Sequence, residues 1–305
     1  METLINIALL FILPFLFLGL INRVKSFWAG RRGPGIMQPF RDFLRLMKKG
    51  EVISLTSSFV FRMAPSVTFS AVIAAGLIVP LAGGQSVITF ETDFILFAYL
   101  LAAGKFLTVA GAMDTGSSFE GMGASREVTF SALVEPAFFV ILASLALISG
   151  GVSFERIFHI AHNTNVAYLV LPLGVIAPFI MLLTEGCRVP VDDPNTHLEL
   201  TMIHEVMVLD NSGPDMGFIV YAAAMKMVII GSIIANLIIP QSLAFWASAG
   251  LFIAIQAALA VIIGTIESVM ARLRMTHVPQ FLLFMAAISV VIVSTVVLFI
   301  SGGIK

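Results

Sequence analysis

The stretch METLINIALLFILPFLFLGLI, Met1–Ile21, decides what kind of protein this is. After Glu2, no charged side chain appears until Arg23. About 20 mostly apolar residues are enough to cross a bilayer's hydrocarbon core as a helix. No basic region precedes the stretch and no A-x-A site follows it. It is therefore expected to be a retained span rather than a signal peptide.

Outward from this stretch the pattern repeats. Runs of similar character fill 60–82, 93–112, 127–149, 166–184, 217–239, 242–266 and 279–300. With 3–21 they predict eight helices in one all-α transmembrane domain over residues 1–305. Gly83-Gly84, Gly150-Gly151, Pro240 and Pro279 punctuate the connections. The runs are too long and too weakly alternating for a barrel, the other structure that satisfies its backbone in lipid. Composition agrees: 11% of residues are charged, against roughly 25% in a soluble domain, and mean hydropathy is +1.03. A net charge of −1 points to no nucleic-acid partner, and the single cysteine, Cys187, allows no internal disulfide.

Basic residues set the orientation. Arg23, Lys25, Arg31, Arg32, Arg41, Arg45, Lys48, Lys49 and Arg62 fall in or beside the first connection. Arg126, Arg188, Arg272 and Arg274 share its side, whereas the opposite side has only Arg156 and Lys305. The positive-inside rule then predicts a multi-pass protein of the cell (inner) membrane. Its basic loop is cytoplasmic and both termini lie outside.

Within that basic loop, 22–59, Gly33-Pro34-Gly35 makes a sharp turn. Ile36, Phe40, Phe43, Leu44 and Met47 then recur at helical spacing, with Arg41, Asp42, Arg45, Lys48 and Lys49 on the other side. An interfacial helix on anionic lipid head groups would have this pattern. The order Gly-Pro-Gly, Gln38, Pro39, Asp42 asks for more, because lipid contact requires no such sequence. It reads as a docking element.

Other charges stand where lipid forbids them unless they have a partner or a task. Glu127 and Glu135 are eight residues apart, on nearly one helical face, and Glu135 precedes Pro136. A salt bridge with Lys105 or Lys226 and a proton path are equally served by these residue types.

The acidic loop, 185–216, holds Glu185, Asp192, Asp193, Glu199, Glu205, Asp210 and Asp215. Asp193-Pro194 reads as a cap and first turn, predicting a helix over about 195–209 with His197, Thr201 and His204 on one stripe. His197, His204 and Glu205 match no zinc spacing, so no metal is expected. The chain has no Walker loop, no G-x-G-x-x-G before a strand, no nucleophile elbow and no C-x-x-C. Any redox cofactor is expected in another subunit.

Arg32, Gly33, Pro34, Gly35, Gln38 and Asp42 together resemble the first signature of one family. This is the membrane anchor shared by respiratory complex I, where it is NADH dehydrogenase subunit 1, and the formate-hydrogenlyase-type membrane-bound hydrogenases. The stretches Asp114–Pro136 and Glu267–Met275, with Lys226, resemble the hydrogenase branch. In the family's acidic frame E-x-x-R-x-P-F-D-x-x-E-A-E-x-E-L, Glu185, Arg188, Pro190, Asp192, Glu199 and Leu200 fit. Val191 replaces the usual Phe, and Asn195 and His197 replace Glu.

The resemblance implies a subunit without catalytic residues of its own in a complex-I-like oxidoreductase, most like a group 4 [NiFe]-hydrogenase. Glu127, Glu135, Glu185, Asp192, Glu199, Glu205, Asp210 and Lys226 would form a proton or coupling path. Arg32, Gly33, Pro34, Gln38, Arg41, Asp42, Arg45, Arg126 and Arg188 would hold a peripheral arm. That arm would carry iron–sulfur clusters and a nickel–iron centre, and antiporter-like membrane subunits would move the ion. A quinone-site component of an NADH:quinone oxidoreductase is the alternative within the family. A stand-alone secondary transporter is the alternative from another class, although no internal repeat supports it.

Overall fold

A computed structural model describes residues 2–54, 56–82, 86–161, 167–193, 202–240 and 242–302. These residues form helices and connecting segments, with no strand among them. The helices are α1 (Glu2–Trp28), α2 (Gln38–Met47), α3 (Phe59–Ile78), α4 (Asp93–Asp114), α5 (Ser118–Ser149), α6 (Phe154–Ala161), α7 (Ala167–Glu185), α8 (Gly213–Ile238), α9 (Phe245–Val269) and α10 (Val278–Ile300). Among the described residues, seven helices are long and apolar enough to cross a membrane: α1, α3, α4, α5, α8, α9 and α10. The expected span at 166–184 corresponds to α7, a shorter apolar helix that packs between α8 and α10.

Two spans outrun their hydropathy. α5 begins at Ser118, nine residues before the expected 127, because its polar first turns pack inside the protein, with Glu120, Gly123 and Ala124 buried. α1 continues to Trp28, beyond the expected 21, and the added turns are held against α9. There Trp28 Nε1 donates to Thr265 Oγ1 at 3.3 Å.

α8 is the most buried of the spans and forms the centre of the bundle, touching α1, α3, α7 and α9. Small residues allow the closest helix pair. Ala64, Thr68 and Ala71 of α3 face Gly104 and Gly111 of α4, and Thr68 Oγ1 donates to the Gly104 carbonyl at 2.9 Å. Lipid provides no hydrophobic drive between helices, so such packing and hydrogen bonding carry the association. At one end of the bundle, Asp93 caps the unexpected short helix α6, accepting from the Phe154 N–H at 2.8 Å.

The expected amphipathic helix of the basic loop is α2. Phe40 and Phe43 pack on Phe15 at 5.2 and 5.6 Å between ring centroids, and Phe43 also meets Tyr221 at 5.1 Å. Gly19 permits this approach: a β-carbon there would lie 1.9 Å from the Ile36 carbonyl oxygen. Backbone cannot yield as a side-chain tip can, so Gly19→Ala is expected to cost ~1–3 kcal/mol. A lowered thermal midpoint in detergent would register this.

The helix expected over 195–209 is corrected within the described residues. Residues 202–204 are non-helical, and Glu205–Val208 form a single 3₁₀ turn. Asp192 ties this segment down from outside by accepting backbone N–H groups. Residues 194–201, and with them Glu199, His197 and Thr201, lie outside the described residues.

Candidate functional site: a buried charge cluster beside a folded acidic loop

A lysine in an apolar run must find a counter-charge. Lys105 sits midway along α4 and finds three. Its Nζ lies 3.0 Å from Glu135 and 3.6 Å from Glu127, both on α5, and it donates to Glu185 at the end of α7 and to Ser131 Oγ at 2.8 Å. Glu185 in turn lies 3.6 Å from Lys226 of α8. Four helices thus deliver two lysines and three glutamates to one place. The eight-residue spacing that put Glu127 and Glu135 on one face does bring them to one cation.

The cluster has a direction. The Glu185 side chain is 6% exposed, whereas that of Glu135 is 30% exposed on the flank of α5. A carboxylate facing lipid is costly, so this flank needs a polar cover. Among the described residues, the cluster carries one more carboxylate than ammonium.

Beyond Glu185 the chain turns sharply through Gly186, where a β-carbon would meet Met227 Cγ at 2.6 Å. Cys187 follows at φ 53° and is buried, and burial pushes its thiol well above the usual range. Asp192, expected in the relay, is instead fully engaged. It accepts from the N–H groups of Asp193 at 2.9 Å, and of Ile203 and His204 at 3.1 Å, and pairs with Arg272 at 2.9 Å. It organises the loop. Glu205 lines a cavity of about 100 Å³ with Cys187, Arg188 and His204. Asp210 is exposed and stands apart from the cluster, with its N–H donating to buried Glu120 at 3.0 Å.

The residues expected to hold a peripheral arm divide. Arg32, Pro34, Arg41 and Arg45 are exposed along the first connection and α2. Gly33 packs on α1, where a β-carbon would meet Ser26 Oγ at 2.0 Å. Gln38 and Asp42 clasp each other one turn apart, Nε2 to Oδ1 at 2.9 Å, and Asp42 meets Arg45 at 3.4 Å. Arg126 and Arg188 turn inward, against expectation. Arg126 donates to the Met202 carbonyl at 2.7 Å, and Arg188 is buried against Glu267 at 3.2 Å. Each guanidinium holds the acidic loop within this chain, so neither is an exposed docking contact here.

Two cavities lie beneath α2. The larger, about 530 Å³, is lined by aromatic and aliphatic groups including Phe11, Phe40 and Phe69. The smaller, about 230 Å³, shares Phe15, Phe43 and Tyr221 with it and adds Asn22, Asp42 and Arg188.

From sequence, Lys105 stood only as a salt-bridge partner, and neither Glu120 nor Glu267 had a role. Lys105 had a signal of its own: it is the one charge inside the apolar run 94–113. Glu267 stood in view within a motif but had no visible counter-charge until α1 and the acidic loop came together.

A bundle of long apolar helices that brings a lysine among three glutamates has the character of a polytopic membrane protein. The chain belongs to the NADH dehydrogenase family, whose model matches residues 1–299. It is similar to hydrogenase-4 component C of Escherichia coli (strain K12), 32% identical over 234 residues, covering 76% of this chain and 73% of that one. It is also similar to formate hydrogenlyase subunit 4 of the same organism, 26% identical over 285 residues, covering 91% and 92%. Its fold matches a chain of the membrane-bound sulfane sulfur reductase (MBS), an archaeal respiratory membrane complex. The TM-score is 0.82 at 22% identity, covering 97% of this chain and 98% of that one. The chain is accordingly a complex-I-like membrane subunit.

Proposed function

We propose that this chain is the anchor and ion-path subunit of a group 4 [NiFe]-hydrogenase or formate-hydrogenlyase-type complex. The observation that carries the reading is Lys105, held among Glu127, Glu135 and Glu185 at the meeting of α4, α5 and α7. A proton or charge reaching the Glu185 end, where Lys226 also stands, changes which carboxylate Lys105 neutralises. Glu135, the most exposed member, then passes the change sideways. An antiporter-like subunit covers that flank and moves the ion. Glu205 stands at the loop cavity as the point where a change in the peripheral arm is felt.

The arm docks on the exposed face of α2 through Arg41 and Arg45, with Arg32 beside them. Electron transfer belongs to iron–sulfur clusters and a nickel–iron centre in that arm. The density of basic residues around α2 supports a cytoplasmic position for this face, in a cell (inner) membrane with both termini outside. Isolating the complex by a tag on this chain and measuring its bound metals tests the branch. Nickel with iron is the expected result, and iron without nickel would contradict it.

One observation favours the second reading, a quinone-linked role. The smaller cavity under α2 is lined in part by buried Arg188, whose Nε has no hydrogen-bond partner among the described residues. That reading requires quinone reduction by the purified complex and block by a quinone-site inhibitor. Hydrogen turnover that persists in quinone-free preparations would remove it.

A further inference from the structure

The stretch Glu267–Met275 singled itself out in the sequence, yet the path from Glu185 through Lys105 to Glu135 does not use it. In the structure it closes the end of α9 over two other segments. The Glu267 side chain is 1% exposed and lies between two cations from different parts of the fold. Lys25, near the end of α1, places Nζ 2.7 Å from Oε2, and Arg188, in the acidic loop, places Nη1 3.2 Å from Oε1. The Oε2 contact is an ion pair without an aligned hydrogen bond, so charge is what holds it. Six residues on, the Leu273 N–H donates to the Pro190 carbonyl at 3.0 Å, and Arg272 pairs with Asp192 at 2.9 Å. The loop from Arg188 to Asp192 is thus gripped at three points by one strap. Through Lys25, the same strap holds the helix that leads into the docking loop.

We infer that Glu267 is a positioning residue that transmits the state of the docking loop to the acidic loop. The inference rests on the docking reading of α2. Glu267 touches both sides: Lys25 lies three residues before Trp28, the last residue of α1, and Arg188 three after Glu185. If the strap served only to neutralise buried charge, Arg188 would suffice for Glu267, and Lys25, whose side chain is 26% exposed, would be dispensable.

Hydrogen–deuterium exchange on the purified complex separates these possibilities. The reporters are the amides of Arg188, bonded back to Leu183, and of Val191, Asp192 and Leu273, bonded to carbonyls of the gripped segment. Exchange is compared with the arm attached and after its release by Arg41→Glu with Arg45→Glu, in three backgrounds: native, Lys25→Met and Lys25→Arg. Lys25→Met leaves the Arg188–Glu267 pair intact, so the loop is expected to stay folded. Arm release should speed exchange at these amides about tenfold, the equivalent of ~1.4 kcal/mol, in the native and Lys25→Arg backgrounds. In Lys25→Met the rates should be the same with and without the arm. An equal response in all three backgrounds, or none in the native one, overturns the inference. Retention of the arm on the double reversal overturns the docking reading and the inference with it.

Discussion

Replacing Lys105 with methionine is expected to destabilise the chain by ~3–5 kcal/mol, because it strips the cation from three partly or fully buried carboxylates. Glu135 and Glu127 lie 3.0 and 3.6 Å from that ammonium, and Glu185 would keep its longer 3.6 Å contact with Lys226. Methionine fills nearly the same volume, so the loss is electrostatic rather than a cavity. Three carboxylates would then share one lysine, and the group that joins Glu135 to Glu185 in the proposed path would be gone. Low accumulation of the complex, a lowered thermal midpoint and ion translocation absent from the fraction that assembles are the expected observations. Lysine to arginine keeps the charge and should restore assembly. A methionine variant that assembles and translocates normally would show that Lys105 is a bystander.

The second large effect concerns the peripheral arm of the proposed complex. Arg41→Glu with Arg45→Glu should release it while leaving the helices inserted. Both side chains are exposed, and among the described residues Arg45 makes a 3.4 Å surface pair with Asp42, worth ~0–1 kcal/mol to the fold. In a desolvated interface, loss of a charge partner costs ~2–5 kcal/mol, and reversal adds repulsion. At about 1.4 kcal/mol per decade, the arm should bind more weakly by about a hundredfold or more. Co-purification on the tagged chain reads the outcome directly. If the arm stays on, α2 returns to the simpler role of a helix lying on anionic lipid.

Much of this molecule was legible in its sequence, for a physical reason. Lipid demands long uninterrupted apolar runs, so most span boundaries fell within a few residues of the helices seen. α2 was legible because Phe40 and Phe43 repeat at helical spacing between basic residues. The start of α5 was not, because Glu120 and Gly123 pack against a segment far along the chain, Ile203 to Asp210, which hydropathy cannot see. The same limit hid the work of Asp192. An acid in an acidic stretch looks available until the N–H groups of Ile203 and His204 are found bonded to it. Glu127 and Glu135 were read as companions from spacing alone, but their common partner came from another helix. Sequence shows which charges are out of place in lipid, and only packing shows what they are in place for.

In the proposed function, Glu135 carries charge through the bilayer rather than merely bracing Lys105. Glu135→Gln isolates the two roles. The amide oxygen can still face the Lys105 ammonium, and the remaining two glutamates balance the two lysines, so assembly should survive. An amide, however, neither binds nor releases a proton near neutral pH. The decisive measurement is ion uptake per electron transferred, made on the complete complex in sealed vesicles. Electron transfer should continue while ion uptake falls about a hundredfold, the scale of one positioned proton-transfer group. Uptake at the native ratio in a fully assembled Glu135→Gln complex would contradict the proposal.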